Sequence, residues 1–182
     1  MGKFFVEVGS CDFDTLVPLA FEGWAGIVTE PVPYLNKKVE HIYGEYPNVY
    51  VYPYAINNED GTAEMTFAKE TDDWVRGISS LVGSSGAIHY PENKHLIGDP
   101  THTVESRRLD TWFDEAKVTS IDFMKMDCEG MEYKILEAYS WKIKPSVIKL
   151  EHKHIDDIAM KKLLENQGYL VYTEREDIYA IL

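Results

Sequence analysis

Cysteine is nearly absent from the sequence. Only Cys11 and Cys128 occur in 182 residues, so no disulfide framework supports the fold. The N-terminus carries no secretory pattern, and reduced thiols in a cytoplasm are the expectation. Gly2 follows Met1, but Phe5 and Val6 read as core, which argues against lipidation. No apolar run approaches the ~20 residues that a membrane-spanning helix needs. Positive charge is scarce: 18 Lys and Arg face 31 Asp and Glu, a net charge of -13. This balance disfavours nucleic acid as a partner, because phosphates must be neutralised by Lys and Arg. The histidines are scattered, with no helical metal-pair spacing. Repeats, low-complexity tracts and linkers are missing as well. The expectation is a single domain, 1–182, with one sizeable core.

Hydrophobic periodicity supplies the rest. Lys3 to Val8 reads as a buried strand that ends in Glu7-Val8-Gly9-Ser10. Phe13, Leu16, Val17, Ala20 and Phe21 fall on one helical face, with Asp12 or Asp14 as its cap and Gly23 as its stop. A strand from Ala25 to Thr29 ends at Glu30-Pro31. A helix follows with Leu35, Val39, Ile42, Tyr43 and Tyr46 on one face, then an extended segment from Asn48 to Ile56. This β-α-β-α-β order calls for a parallel sheet with right-handed crossovers. Thr62 to Phe67 suits a flanking strand. Residues 68–103 hold Gly77, Ser79-Ser80, Gly83-Ser-Ser-Gly86 and two prolines, and are expected to form an irregular insertion over the active-site edge. Val104 to Arg107 reads as a short strand and Thr111 to Ala116 as a helix capped by Asp110. Ile121 to Met126 is a further strand, and its helix carries Met131, Ile135, Leu136 and Tyr139. Pro145 to Leu150 is another strand. Ile155, Ile158, Ala159 and Leu163 form a last helix face, stopped by Gly168. Tyr169 to Thr173 and Ile178 to Leu182 close as an antiparallel hairpin.

Two constellations bear on chemistry. Gly9 lies at the first strand-helix turn, where a ligand can approach the backbone, and Glu30 ends the second strand, where an acid can accept from ribose hydroxyls. The second and third glycines of a dinucleotide fingerprint are missing; Cys11 and Phe13 stand there. With no pyrophosphate cradle, an adenosine cofactor without phosphate fits best, and S-adenosylmethionine is the common one. A tight turn beside a surface acid is the plainer reading. The other constellation is Asp127, Glu129 and Glu151-His152, at the ends of two strands expected to be neighbours. Methyl transfer from a sulfonium demands positioning of the acceptor and, for a hydroxyl, a base. Asp127, Glu129 and His152 suit that work. The plainer readings are helix caps for the acids and solvated strand-end residues for His152 and His154. Oxygen ligands suit magnesium or manganese, but two acids and a histidine do not establish a metal, and none is assigned. His89, His95 and His102 read as polar loop residues, the cysteines as small buried side chains, and the tyrosines between 34 and 54 as packing residues.

In order along the chain, Phe5-Val-Glu-Val-Gly-Ser10, Thr29-Glu-Pro31, Asn48 to Gly61, Ser79-Ser-Leu81, Arg108-Leu-Asp-Thr-Trp112, Met124-Lys-Met-Asp-Cys-Glu-Gly-Met-Glu132 and Leu150-Glu-His152 resemble the FkbM-type methyltransferases. The most specific piece is Lys-x-Asp-x-Glu-Gly-x-Glu at Lys125 to Glu132. The resemblance implies an α/β, Rossmann-like sheet of seven strands, mostly parallel with an antiparallel last strand, and helices on both faces. It implies S-adenosylmethionine as cofactor and methylation of a hydroxyl on a small-molecule or glycan-like acceptor. By motif, Glu7, Gly9 and Ser10 would line the methionine part of the cofactor, Glu30 with Pro31 the ribose, and Ala55 and Ile56 the adenine. Asp127 and Glu129 would face the methyl group and the acceptor. The family's first motif usually continues Ala-Asn-x-Gly, whereas here it is Ser10-Cys11-Asp12-Phe13. Phe13 in place of glycine is expected to crowd the cofactor or reshape the turn. With the chain starting at its first strand, the insertion or a partner (a second copy or another protein) would complete the acceptor pocket. The alternative reading is a non-catalytic module that keeps the fold and binds cofactor or a protein partner.

Overall fold

Five short strands with almost no polar surface form the centre of the fold. The computed structural model describes residues 2–13 and 15–182, with backbone alone at Pro100. β1 (Phe4–Val8) is buried along nearly its whole length, and β2 (Ala25–Thr29) is similar. Strands buried on both faces belong inside a parallel sheet covered by helices. Between them lies α1 (Val17–Phe21), then α2 (Pro33–Tyr43) leads to β3 (Val49–Tyr52). The chain next leaves this sheet. β4 (Ala55–Ile56), β5 (Gly61–Ala68), β6 (Ser80–Leu81) and β7 (Ile97–Arg107) form a second, four-stranded sheet in the order β4-β7-β5-β6. It returns through α3 (Leu109–Glu115), β8 (Phe123–Met126), α4 (Glu132–Ala138), β9 (Val147–Glu151), α5 (Asp157–Asn166), β10 (Leu170–Glu174) and β11 (Asp177–Ile181).

The main sheet runs β10-β11-β9-β8-β1-β2-β3. All neighbours from β9 to β3 are parallel, and β11 is antiparallel to both β9 and β10. The seven-stranded, mostly parallel sheet with a reversed last strand is therefore as expected. The chain winds outward from β1 through β2 to β3, then crosses back to β8 on the other side of β1. That reversal makes a crevice at the carboxyl ends of β1 and β8.

Several local expectations shift. The segment 48–56 is two strands in two sheets, not one. The helix expected from Phe13 starts only at Val17, because Pro18 sits at its first positions, where a missing N–H is harmless. Phe13 belongs to the preceding loop, and Asp14 lies outside the described residues. Asp110 lies inside the first turn of α3, whose N-cap is Arg108, and accepts instead from Ser140. In α5 the cap is Asp156, bonded to the N–H groups of Ile158 and Ala159. This turns Met160 and Leu164 fully inward; of the expected face, Ile155 and Leu163 pack against the core while Ile158 is 75% exposed. The stretch 68–103 is less irregular than its composition suggests. It holds β6, the start of β7 and three 3-10 turns, at 74–77, 87–89 and 91–96. The tyrosines at 43 and 54 are packing residues: Tyr43 is 2% exposed and Tyr54 meets the Trp112 ring edge-on.

Gly9 makes the crevice possible. It has φ +73°, and a Cβ there would stand 1.9 Å from the Asp127 carbonyl oxygen. Gly9→Ala should therefore destabilise the chain by about 2–4 kcal/mol, read as a lower urea midpoint; an unchanged midpoint would show that the β1 and β8 ends are not in this contact.

Candidate active site

The crevice opens into a cleft of about 330 Å³, a size typical of small-molecule sites. One wall is the turn after β1. Ser10 donates its N–H to Thr29 O at 3.1 Å, and Cys11, at φ +49°, donates to Glu30 Oε2 at 2.8 Å. Val32 N–H donates to the other Glu30 oxygen, also at 2.8 Å. The Glu30 carboxylate thus ties the β1 turn to the start of α2. Burial pushes its pKa to about 7 against the pull of those two N–H groups. Nearby, Asp12 forms ion pairs with Arg76 at 2.5 Å and Lys38 at 3.2 Å, and the Arg76 guanidinium covers the Phe13 ring. Phe13 lies on the rim, 41% exposed and packed beside Gly77. It shapes the entrance and leaves the cleft open.

The opposite wall is Asp127-Cys-Glu-Gly130. Its conformation is set by a residue not singled out from the sequence, Glu132. This carboxylate is 1% exposed and accepts from Cys128 N–H at 2.5 Å and Gly130 N–H at 3.1 Å. Burial lifts its pKa to about 8. Glu129 at φ +50° and Gly130 at φ +90° then turn the chain sharply. Capping of α4 therefore does not fall to Glu129: Met131 is the N-cap residue, and Glu129 turns into the cleft. Its pKa is pushed to about 9, first by burial and then by the charges of Asp127 and Glu151. Glu151, at the end of β9, is raised to about 7 by burial and by Asp127.

Gly9, Ser10, Glu30, Pro31, Ala55, Ile56, Asp127 and Glu129 line this one cleft. Two expected site residues do not. Glu7 is 0% exposed and lies behind the wall; it accepts from Tyr43 Oη at 2.6 Å and Leu16 N–H at 3.4 Å, with Lys125 Nζ 3.7 Å away. Its side chain points to the opposite sheet face from Val8, toward Tyr43 of α2 and the start of α1. His152 turns toward the hairpin, with Nε2 3.2 Å from Arg175 O. The histidine in the cleft is His154, two residues on, with Nε2 3.6 Å from Glu129 Oε2. A strand ending at Glu151 and a turn after it reverse the outward alternation, which no periodicity argument from β9 alone would reveal. Residues 78–81 complete the roof, held by pairing of β6 with Met65 and Thr66 of β5. Both cysteines are free, and burial pushes the Cys11 thiol up to about 12, with Glu30 adding to the shift. His89 is structural, bonded to Ser80 Oγ and Leu81 O.

This sheet order, with its ligand-sized cleft at the switch point, is that of the Rossmann-like methyltransferases. A fibrillarin pre-rRNA processing protein of Methanococcus jannaschii superposes with TM-score 0.53 at 11% identity, over 99% of this chain and 66% of that one. The METTL16 methyltransferase domain gives 0.51 at 12% identity, over 100% and 59%. A fibrillarin/Nop5p complex gives 0.50 at 12%, over 98% and 70%. Such distant likeness shows the fold. No curated protein matches the sequence. The profile of the methyltransferase FkbM domain matches residues 7–171. The chain belongs to the FkbM methyltransferase family, whose members are S-adenosylmethionine-dependent methyltransferases.

Glu30 makes a pH dependence. Its folded pKa near 7 exceeds the ordinary 4.5, so the folded state holds a proton that the unfolded chain has lost. Stability from this group is full below pH 4.5 and falls as pH rises to 7, by about 3 kcal/mol. Urea unfolding of wild type and Glu30→Gln at pH 5 and pH 8 should show the wild type losing more stability than the variant; equal losses would assign the dependence elsewhere.

Proposed function

We propose that the chain transfers a methyl group from S-adenosylmethionine to a hydroxyl of a small or glycan-like acceptor, in the cytoplasm. The observation that carries this reading is the meeting, in one cleft, of a side-chain-free turn at Gly9, the acid Glu30 and the acids Asp127 and Glu129. The residues fit a cofactor with adenosine and no phosphate. Gly9 and Ser10 line the cleft, the place of a Gly9 side chain being taken by the Asp127 carbonyl, and Thr29 Oγ1 beside them is buried without a hydrogen-bond partner. The nearby N–H groups of Cys11 and Val32 are taken by Glu30, which leaves no anion cradle there.

In this reading Gly9 and Ser10 hold the methionine part, Glu30 and Pro31 the ribose, and Ala55 and Ile56 the adenine. Each Glu30 oxygen already accepts one N–H and has a second lone pair for a ribose hydroxyl. When bound, the cofactor supplies an activated methyl group on a sulfonium. The protein's task is then to orient the acceptor, keep water out and take a proton. Asp127 lies nearest the Gly9 turn and is assigned to the junction of cofactor and acceptor; Glu129 is assigned to the acceptor side. The acidic cleft and the net charge of -13 favour a neutral, hydroxyl-bearing acceptor over a phosphorylated one, which the field would repel. The roof from residues 78–81 supplies the acceptor's remaining contacts.

Calorimetry with S-adenosylmethionine and with S-adenosylhomocysteine tests the reading: one site per chain is expected, and no heat at about millimolar ligand would end it. Glu30→Ala should weaken binding by roughly 1.5–3 kcal/mol, the usual loss for a hydrogen bond to a charged group. Asp127→Ala should abolish turnover while cofactor binding persists. Turnover at the wild-type rate would remove Asp127 from the mechanism.

A further inference from the structure

The acids deep in the cleft are arranged as a ligand set. We propose that Glu129, Glu151 and His154 bind a divalent first-row cation, and that the open positions of this ion hold the acceptor hydroxyl. The second half rests on the methyl-transfer reading above; the binding of the ion does not.

Three backbone features converge on one point. β8 and β9 are paired in parallel with Met126 opposite Leu150, so Asp127 and Glu151 emerge side by side. The turn at Glu129, φ +50°, brings its carboxyl back over Glu151. The turn after β9 carries His154 to the same place. One donor atom from each of Glu129, Glu151 and His154 lies within 4.8 Å of the others. Donors ~2.1 Å from a shared ion stand ~3.0 Å apart when cis and ~4.2 Å when trans, so small rotamer adjustments gather them.

The separate observation is that Glu129 and His154 each turn a functional atom without a hydrogen bond toward the other. Glu129 Oε2 is buried and has no hydrogen-bond partner. The His154 side chain is only 6% exposed, and its Nε2 faces that oxygen from 3.6 Å, beyond hydrogen-bond range. The other ring nitrogen is engaged: Nδ1 lies 2.9 Å from Tyr90 Oη, and the Tyr90 ring stands edge-on at 5.7 Å. A histidine that donates Nδ1–H to an outer partner keeps the Nε2 lone pair for a metal, and this pairing is typical of metal-bound imidazole. Lys153, which also lines the cleft, is paired with Glu176 at 3.3 Å, and its charge also reaches Glu129, Glu151 and His154, so a bound ion has this ammonium as its competitor. Two carboxylates and an imidazole suit manganese or zinc better than calcium or magnesium. Three protein ligands with free positions is the pattern of a catalytic rather than a structural site.

Manganese(II) chloride titrated into the full chain, without S-adenosylmethionine, should show one saturable site by calorimetry and raise the melting temperature. Glu129→Gln and His154→Gln, each checked for folding by circular dichroism, should lose at least about tenfold in affinity, and Tyr90→Phe about tenfold through the freed imidazole. Wild-type protein with cobalt(II) needs no variant: its visible spectrum should depart from that of the aqueous ion. An aqueous-like cobalt spectrum, no saturable manganese or zinc binding up to about 1 mM, or binding unchanged in both ligand variants would overturn the proposal. Cofactor binding without metal binding would overturn this site alone; metal binding without cofactor binding would overturn the methyl-transfer reading and the acceptor role of the ion, and leave the ion site standing.

Discussion

The structure depends on one close approach. The Asp127 carbonyl stands where a side chain at residue 9 would begin, so β1 and β8 converge at their carboxyl ends only because residue 9 has none. That contact fixes the spacing between the Gly9-Ser10 turn and the Asp127-Gly130 turn, the two walls of the cleft. The switch in winding direction, from outward along β2 and β3 to back across β1, decides that a crevice opens at this place. Topology places the site, and a missing Cβ sets its width.

Five glutamates are removed from water around this contact, and the partners of their oxygens sort their roles. Glu30 and Glu132 each accept two backbone N–H groups and lock a turn. Glu7 is engaged by Tyr43 and by Leu16 N–H, with Lys125 close by. Glu129 and Glu151 lock no turn; the charge of Asp127 opposes both, and Lys153 offsets this in part. A buried carboxylate without donors is unfavourable by several kcal/mol, and proteins keep such groups where a proton or a cation completes them. The turn-locking Glu132 and the acids proposed to act in the cleft, Asp127 and Glu129, share the one motif from Lys125 to Glu132.

The sheet, its order and its reversed strand were legible because buried parallel strands are continuous apolar runs and the hairpin leaves no other geometry. The cleft residues at Gly9, Ser10, Glu30 and Asp127 were legible because strand ends are where this fold binds ligands. The misplaced details have a common cause. Glu7 and His152 sit next to the cleft-lining Val8 and Glu151, and a shift of one position at a strand end turns a side chain to the other face. Glu132 was overlooked because its task, satisfying N–H groups three-dimensionally close to it, leaves no periodic trace. The onset of α1 was set by Pro18, and the face of α5 by the Asp156 cap, local chemistry that overrides a pattern of apolar spacing.

The segment 68–103 is bound into the site rather than laid over it. A Cβ at Gly86 would stand 2.3 Å from the Glu129 carbonyl oxygen, and Ser85 Oγ donates to His154 O with Gly130 O also within reach. One loop therefore grips the turn that aims Glu129 and the turn that aims His154. The same segment supplies residues 78–81 of the roof and Tyr90 beside the imidazole. Ser80 of the roof meets Ser84 at 3.0 Å and would stand 3.0 Å from a Cβ at Gly86, so the roof and the loop that grips these turns are joined. In the proposed reading, the roof that meets the acceptor and the acidic cluster are therefore held by one segment. In this chain the segment that would choose the acceptor also holds in place the groups proposed to activate it.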